Sequence, residues 1–429
     1  MILSLSHVFF IFHVQTLSTL DLHGQTIGAI GAQYLAEALM NNTTLTTLNL
    51  QFHKIGSKGM QYLANTLITL NIGNCLIGDR GVQDIATMLQ NNVTLAILNI
   101  HCNEISITGI QYLANALQSN TTLTTLNIES NQIEDEGMVY IADALRSNKT
   151  LTELSLAAND IGENGVKYLS DALEHNKTLI SLDLSVNNIN DNGIQYLADV
   201  LQKNPTLITL DIGHNQISDE GVSYLTNTLR NNTTLTTLEL RQNNIKDRGA
   251  QHLADCLRSN ITLTKLTLDS NPIGDDGVHH LTDALRDNKA LTVLDLSYSE
   301  IDAQGILCIA DVLQNNTILT VLHLNFNKIG ANEVQHLTNA LRKNTTLIEL
   351  ELNGNRIEDE GAGYIADILR SNTTLITLDL RSNMIGEMGI ESIANALRDN
   401  TSMQTIYLRY GNNFSDALKL LLVQDSRIQ

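Results

Sequence analysis

The side chains best suited to nucleophilic or metal chemistry in this chain are Cys75, Cys102, Cys256 and Cys308 and the histidines, and their spacing gives them no shared task. The cysteines form no CxxC pair, and neither an HExxH motif nor a zinc-spaced Cys/His set occurs. All four are expected to be free thiols in a reducing compartment, the cytoplasm. There is no GxxxxGKS or GxxxxGKT loop to cradle a phosphate. Gly361-Ala362-Gly363 looks like the start of a dinucleotide loop but falls on a recurring structural glycine. The expectation is no catalytic residue, no metal ligand and no cofactor. What remains is recognition. Tyr298 and Phe326 stand 28 residues apart, on or just past two strands, as do Phe52, Tyr407 and Tyr410 elsewhere. A strand has no folding reason to put an aromatic on its polar face. Lys265, Asp269, Asp295, His323, Lys328, Glu349, Glu351 and Arg356 surround the pair, and an aromatic pair ringed by mixed charge has the composition of a protein-binding hot spot. Arg241 and Arg381 are weaker candidates on the same face.

The elements that must hold these residues come from one repeated stretch, seen clearly from Leu235 to Thr262. About fourteen variants of it fill the chain from Leu17 onward. In a strand, neighbouring side chains face opposite ways, so Leu238 and Leu240 share one face while Thr237, Glu239 and Arg241 share the other. Asn243 can satisfy backbone groups in the turn that follows. Asp247 reads as a helix N-cap, Leu253, Ala254 and Leu257 as an apolar helix stripe, and Asn260 as a left-handed C-cap. One unit cannot bury its own apolar side; a stack of them can. The fold class is therefore α/β: a solenoid shaped as a horseshoe, with a parallel sheet on the concave face and helices on the convex face. On this reading Leu266→Ala removes core and Thr267→Ala is near neutral.

Repeats start at Leu17 and Leu45, then at Leu67 after only 22 residues, so a shortened helix is expected near Gly59 to Thr66. From Leu67 to Ser402 the 28-residue register holds. Ser299 interrupts the run of ladder asparagines, and Glu333 interrupts the run of helix-start glycines. The expected organisation is an apolar segment over 1–16, the array over 17–402, and a strand plus a capping helix (Phe414 to Val423) over 403–429. The first segment, MILSLSHVFFIFHVQT, fits neither the repeat nor a signal peptide and reads as a non-native start, either because the chain is cut from a longer repeat protein or because its first exon is misassigned. The net charge of −20 argues against nucleic-acid and acidic-membrane partners. Much of the acid has a structural reading: Asp79, Asp135, Asp191, Asp219, Asp247, Asp275 and Asp359 stand at the N-cap position, and arginines from Arg146 to Arg398 in the last helical turn. Asn-x-Thr sequences at Asn120, Asn148, Asn232, Asn260 and Asn344 fall on the helix-end turn, where a structural asparagine is wanted rather than a glycan acceptor. A tyrosine column, Tyr34, Tyr62, Tyr112, Tyr140, Tyr168, Tyr196, Tyr224 and Tyr364, reads as packing along the helix layer.

The pattern LxxLxLxxNxIxxxGxxxLAxxLxxNxx resembles the ribonuclease-inhibitor-like class of leucine-rich repeats. Its Asn-Thr-Thr-Leu turns, as at Asn232 to Leu235, look most like the carboxy-terminal repeats of NOD-like receptors. The resemblance implies a non-enzymatic module that binds a protein partner on the concave face, in the manner of an innate-immune sensor. Two other members of the class imply alternatives: a GTPase activator of the Ran-directed type, which usually carries an acidic tail not seen here, or an enzyme inhibitor of the ribonuclease-inhibitor type, which is cysteine-rich as this chain is not. Ligand and oligomeric state are not legible.

Overall fold

A computed structural model describes residues 17–23, 42–55, 67–413 and 425–429, with isolated positions at 27, 28, 30, 31, 34, 35 and 415. The expected apolar segment, the shortened helix and the final helix lie outside the described residues. The chain divides into two compact units, Met1–Asn215 and Gln216–Gln429.

In the first unit eight three-residue strands, from β1 (Thr19–Asp21) to β8 (Thr209–Asp211), pair in sequence order, each parallel to the next. Among the described residues, five helices follow the later strands: α1 (Gly78–Leu89), α2 (Ile107–Ser119), α3 (Glu134–Ser147), α4 (Glu163–Leu173) and α5 (Asp191–Leu201). Thr47 pairs with Thr69, so the 22-residue step leaves the strand register intact.

The second unit repeats the plan. Strands β9 (Thr237–Glu239), β10 (Lys265–Thr267), β11 (Val293–Asp295), β12 (Val321–His323), β13 (Glu349–Glu351), β14 (Thr377–Asp379) and β15 (Thr405–Tyr407) pair in order and in parallel. Helices α6 (Asp219–Leu229), α7 (Asp247–Leu257), α8 (Gly274–Leu285), α9 (Ala303–Leu313), α10 (Ala331–Leu341), α11 (Glu358–Ser371) and α12 (Glu387–Asp399) lie between them. Leu238, Leu240, Ile245, Leu253, Ala254 and Leu257 are buried, and Thr237, Glu239 and Arg241 are half-buried on the other side. The alternation rule assigned both faces correctly. Each buried leucine contributes roughly 1.5–3 kcal/mol by leaving water.

Asparagine ties repeat to repeat. Asn103 donates to the carbonyls of Ile72, Ile100 and His101, and its Oδ1 accepts from the amides of Cys75 and Ile77. At the helix-end turn, Asn260 donates to the Leu229 carbonyl 2.7 Å away and accepts from Thr262 and Leu263. Asn120, Asn148, Asn372 and Asn400 at the equivalent place are extended, with ψ between 127° and 135°, so the turn asparagines are not left-handed caps. Their side chains are buried in these bonds, which agrees with the structural reading of the Asn-x-Thr sequences.

The aspartates correct a second expectation. They sit inside the first turn of their own helices, and Asp79, Asp135, Asp219, Asp275 and Asp359 accept from the amides that open the helix of the next repeat instead. Asp135 Oδ1 accepts from Gly162 and Gly165, Asp219 Oδ1 from Lys246 and Gly249, and Asp359 Oδ1 from Gly386 and Gly389, all at 2.7–2.9 Å. The recurring glycine has its reason here: a Cβ on Gly249 would lie 2.6 Å from that Asp219 oxygen. Glu333 also becomes intelligible. The preceding repeat has Ala303 where the capping aspartate belongs, and Glu333 accepts from the Gly330 amide of its own helix at 2.9 Å.

In the tyrosine column Tyr140, Tyr196, Tyr224 and Tyr364 are half-buried, and Tyr34, Tyr112 and Tyr168 are more exposed. Tyr224 donates to Glu220 at 2.8 Å, and Lys167 lies 5.4 Å from the centre of the Tyr196 ring. Tyr62 is outside the described residues. After β15 the chain returns, and Ile428 bridges Ile406 in parallel. Arg427 donates to the carbonyls of Asn400 and Leu397, the groups a further turn asparagine would otherwise take.

Candidate functional site

The polar sheet face of the second unit is built by residues flanking the buried leucines of β9 to β15. Immediately past each strand the chain enters the left-handed region, with φ of 49° at Gln242, 59° at Ser270, 51° at Tyr298 and 53° at Phe326. The fold imposes this conformation on the whole column, whatever residue stands there. Bulky side chains are uncommon in it. Tyr298 and Phe326 nevertheless occupy two adjacent positions, as the 28-residue spacing predicts. Their rings stack with centroids 4.3 Å apart and planes 9° apart. They remain 51% and 40% exposed. The next position in the column is Gly354, with φ of 70°, and a Cβ there would meet the Phe326 ring at 2.4 Å. The bare backbone of Gly354 therefore gives Phe326 its seat. Gly354 was not singled out from sequence.

A charged row runs across the neighbouring strands β11 to β13. His323 is bracketed by carboxylates: Nδ1 is 3.2 Å from Asp295 and 3.8 Å from Glu351, and Nε2 is 3.4 Å from Glu349. Burial alone would lower the His323 pKa, but the hydrogen bond to Asp295 and the charges of Glu351 and Glu349 outweigh it and raise it. Burial works against the Asp295 charge too; hydrogen bonds from His323 and Ser297 reverse that and lower its pKa. Asp269 has the opposite fate. Burial, reinforced by the nearby Asp295 charge, pushes it up to about 6 despite Arg241. Lys265 pairs with Glu239 at 2.9 Å. Arg381 chelates the buried carboxylate of Asp379 and lies 4.9 Å over the Tyr407 ring.

The structure therefore gathers Asp295, His323, Glu349 and Glu351 into one cluster, with Lys265, Arg241, Asp269 and Arg381 along the same face. Lys328 and Arg356 are elsewhere. Both follow the ladder asparagine, in the connection to the next helix, where the Lys328 amide donates to Ile301 and the Arg356 amide to Ile329. Alternation stops being a guide there, because each strand ends after three residues. Sequence reasoning missed Asn325, which donates to Glu351 at 2.6 Å while its Oδ1 accepts from the Asn353 amide. It also missed Ser297, whose amide holds Asp295 at 2.9 Å. Both sit at the strand-exit position one register step from the charged row, a signal available in the repeat alignment. His323, Glu349 and Glu351 place one donor atom each within 4.8 Å of one another. The four cysteines are free; burial pushes Cys75 and Cys256 up to about 11, which keeps them as inert thiols.

Among the described residues, no helix is long and apolar enough to cross a membrane. Solved structures with the same architecture include an internalin from Listeria monocytogenes, at 22% identity and TM-score 0.50 over 94% of this chain and 93% of that one. Another is the yeast complex of Rad7 and Elc1, at 17% identity and TM-score 0.50 over 82% and 89%. At these identities the likeness is one of fold. No curated protein sequence matches the chain. A generic leucine-rich-repeat profile matches residues 41–64. The profile of the NLRC3 LRR domain matches residues 69–415. With that match spanning most of its length, and with strand, ladder asparagine and helix recurring as the resemblance implies, the chain belongs to the NLRC3-type leucine-rich-repeat family.

Proposed function

We propose that this chain is a non-enzymatic recognition module, sensor-like and cytoplasmic, that binds another protein through the polar sheet face of its second unit. The observation that carries the reading is the exposed Tyr298–Phe326 stack, held in a backbone conformation that disfavours bulky residues and seated on Gly354. Two rigid, preformed rings cost little ordering entropy on binding. The ion pairs around them fix charge positions against which a partner can be selected. The net charge of −20 favours a protein partner over nucleic acid or an acidic membrane surface.

The test is affinity capture with the full chain as bait, compared with the Tyr298→Ala/Phe326→Ala double variant. A partner captured by the wild type and lost with the double variant is the expected result. Equal capture by both baits places recognition elsewhere and overturns the reading. Faster GTP hydrolysis by a panel of GTPases at substoichiometric amounts of this chain would overturn the non-enzymatic part.

A further inference from the structure

We propose that His323, Glu349 and Glu351 form a binding site for one divalent transition-metal ion of the zinc class, on the polar face of the sheet. Two adjacent strands build the site. Glu349 and Glu351 are two residues apart on β13 and so share a face, and His323 stands in register with Glu351 on β12. The three donors lie within 4.8 Å of one another, and Glu351, whose Oε2 stands 3.8 Å from Nδ1, completes the set by turning its carboxylate toward Nε2.

The ring geometry favours a shared ion over a hydrogen bond. Nε2 is buried and makes no hydrogen bond, although Glu349 Oε1 is only 3.4 Å away. An aligned N–H···O bond would be shorter, about 2.7–3.2 Å. A separation of ~3.4 Å is the edge between two ligands of a tetrahedral zinc ion bound at ~2.1 Å. With the metal on Nε2, the Nδ1–H donates to Asp295 Oδ2 at 3.2 Å. A carboxylate that holds the far nitrogen of a ligating imidazole is the usual outer partner of such sites. Asp295 is itself held by the Ser297 amide, and Glu351 by Asn325.

Charge points the same way. Asp295, Glu349 and Glu351 set three carboxylates around one imidazole on a half-buried face. A proton on the ring offsets one of these charges; a dication offsets two. One imidazole with two carboxylates is a zinc-type donor set. It is too small for calcium, which takes six to eight oxygens.

The experiment is zinc titration of the full chain at pH 7.4 by calorimetry, with cobalt absorbance as a second readout. One bound equivalent is expected, with cobalt bands that lack thiolate charge transfer. His323→Gln and Glu349→Gln should each weaken that equivalent by ~100-fold or more, and Asp295→Asn by ~10-fold. Glu349→Gln preserves side-chain shape, so it decides the matter if His323→Gln fails to fold by circular dichroism. Unchanged affinity in folded Glu349→Gln overturns the site. So does the absence of any equivalent tighter than millimolar, or a thiolate band that accounts for all the bound cobalt.

Discussion

Asn243 is held on both sides of its amide. Its Oδ1 accepts from Ile217, its backbone N–H donates to Asn271 of the next repeat, and its Nδ2 donates to the carbonyls of Leu240 and Arg241. Asn243→Ala leaves several buried groups without partners, at roughly 1–3 kcal/mol for each one stranded. Denaturant unfolding should show a loss of at least ~2 kcal/mol. Asp269 makes a different prediction. Its folded pKa of about 6 lies above the ordinary 3.8, so the folded state holds the proton more tightly than the unfolded chain does. The contribution of Asp269 to stability is then greatest below about pH 4 and declines as pH rises through the window to about 6. Asp269→Asn removes the charge that burial penalises. Thermal melts should show the variant stabilised relative to wild type at pH 7.5, with the advantage vanishing at pH 4. At this scale the sequence was legible wherever a residue type recurred at 28. The ladder asparagine and the Tyr298–Phe326 neighbourhood follow from spacing alone. Lys328 and Arg356 were misplaced because alternation says nothing once a three-residue strand has ended. The His323 cluster was overlooked as a possible ligand set because its members come from two repeats and form no linear motif.

Among the elements, the helices show why composition misled about capping. An aspartate near a helix start suggests a cap on that helix, since a side chain normally caps amides two or three residues on. Asp219 instead reaches Lys246 and Gly249, 27 and 30 residues away. A period of 28 makes the two possibilities nearly indistinguishable in sequence. They differ in experiment. Asp219→Ala should leave amide exchange at the start of α6 unchanged and accelerate it at Lys246 and Gly249 at the start of α7, with a stability loss of ~1 kcal/mol. On the strands, Leu266→Ala should cost ~2–5 kcal/mol as a truncation in the core. Thr267→Ala should be near neutral, for a reason visible only in the structure: Thr267 is covered by its neighbours, yet its hydroxyl makes no hydrogen bond. Equal losses in the two variants would mean that the faces of β10 are reversed.

For the whole molecule, the net charge of −20 predicts no measurable binding to duplex DNA at physiological salt, which fluorescence anisotropy can check. The fold was legible at this scale because one unit, repeated, leaves few ways to bury its leucines. The position after each strand is free of that constraint, which is why the candidate site was legible only as a departure from the pattern. The forward reach of the aspartates has a further consequence. The repeat that carries α7 is completed from both sides: its first helical amides meet Asp219 of the repeat before, and the Asn271 side chain of the repeat after accepts from Asn243 and Ile245. No boundary within the 28-residue period separates a self-sufficient block. A tandem duplication can therefore begin at any residue of the period and still rejoin matching surfaces, so such an array can lengthen without a privileged breakpoint in its gene.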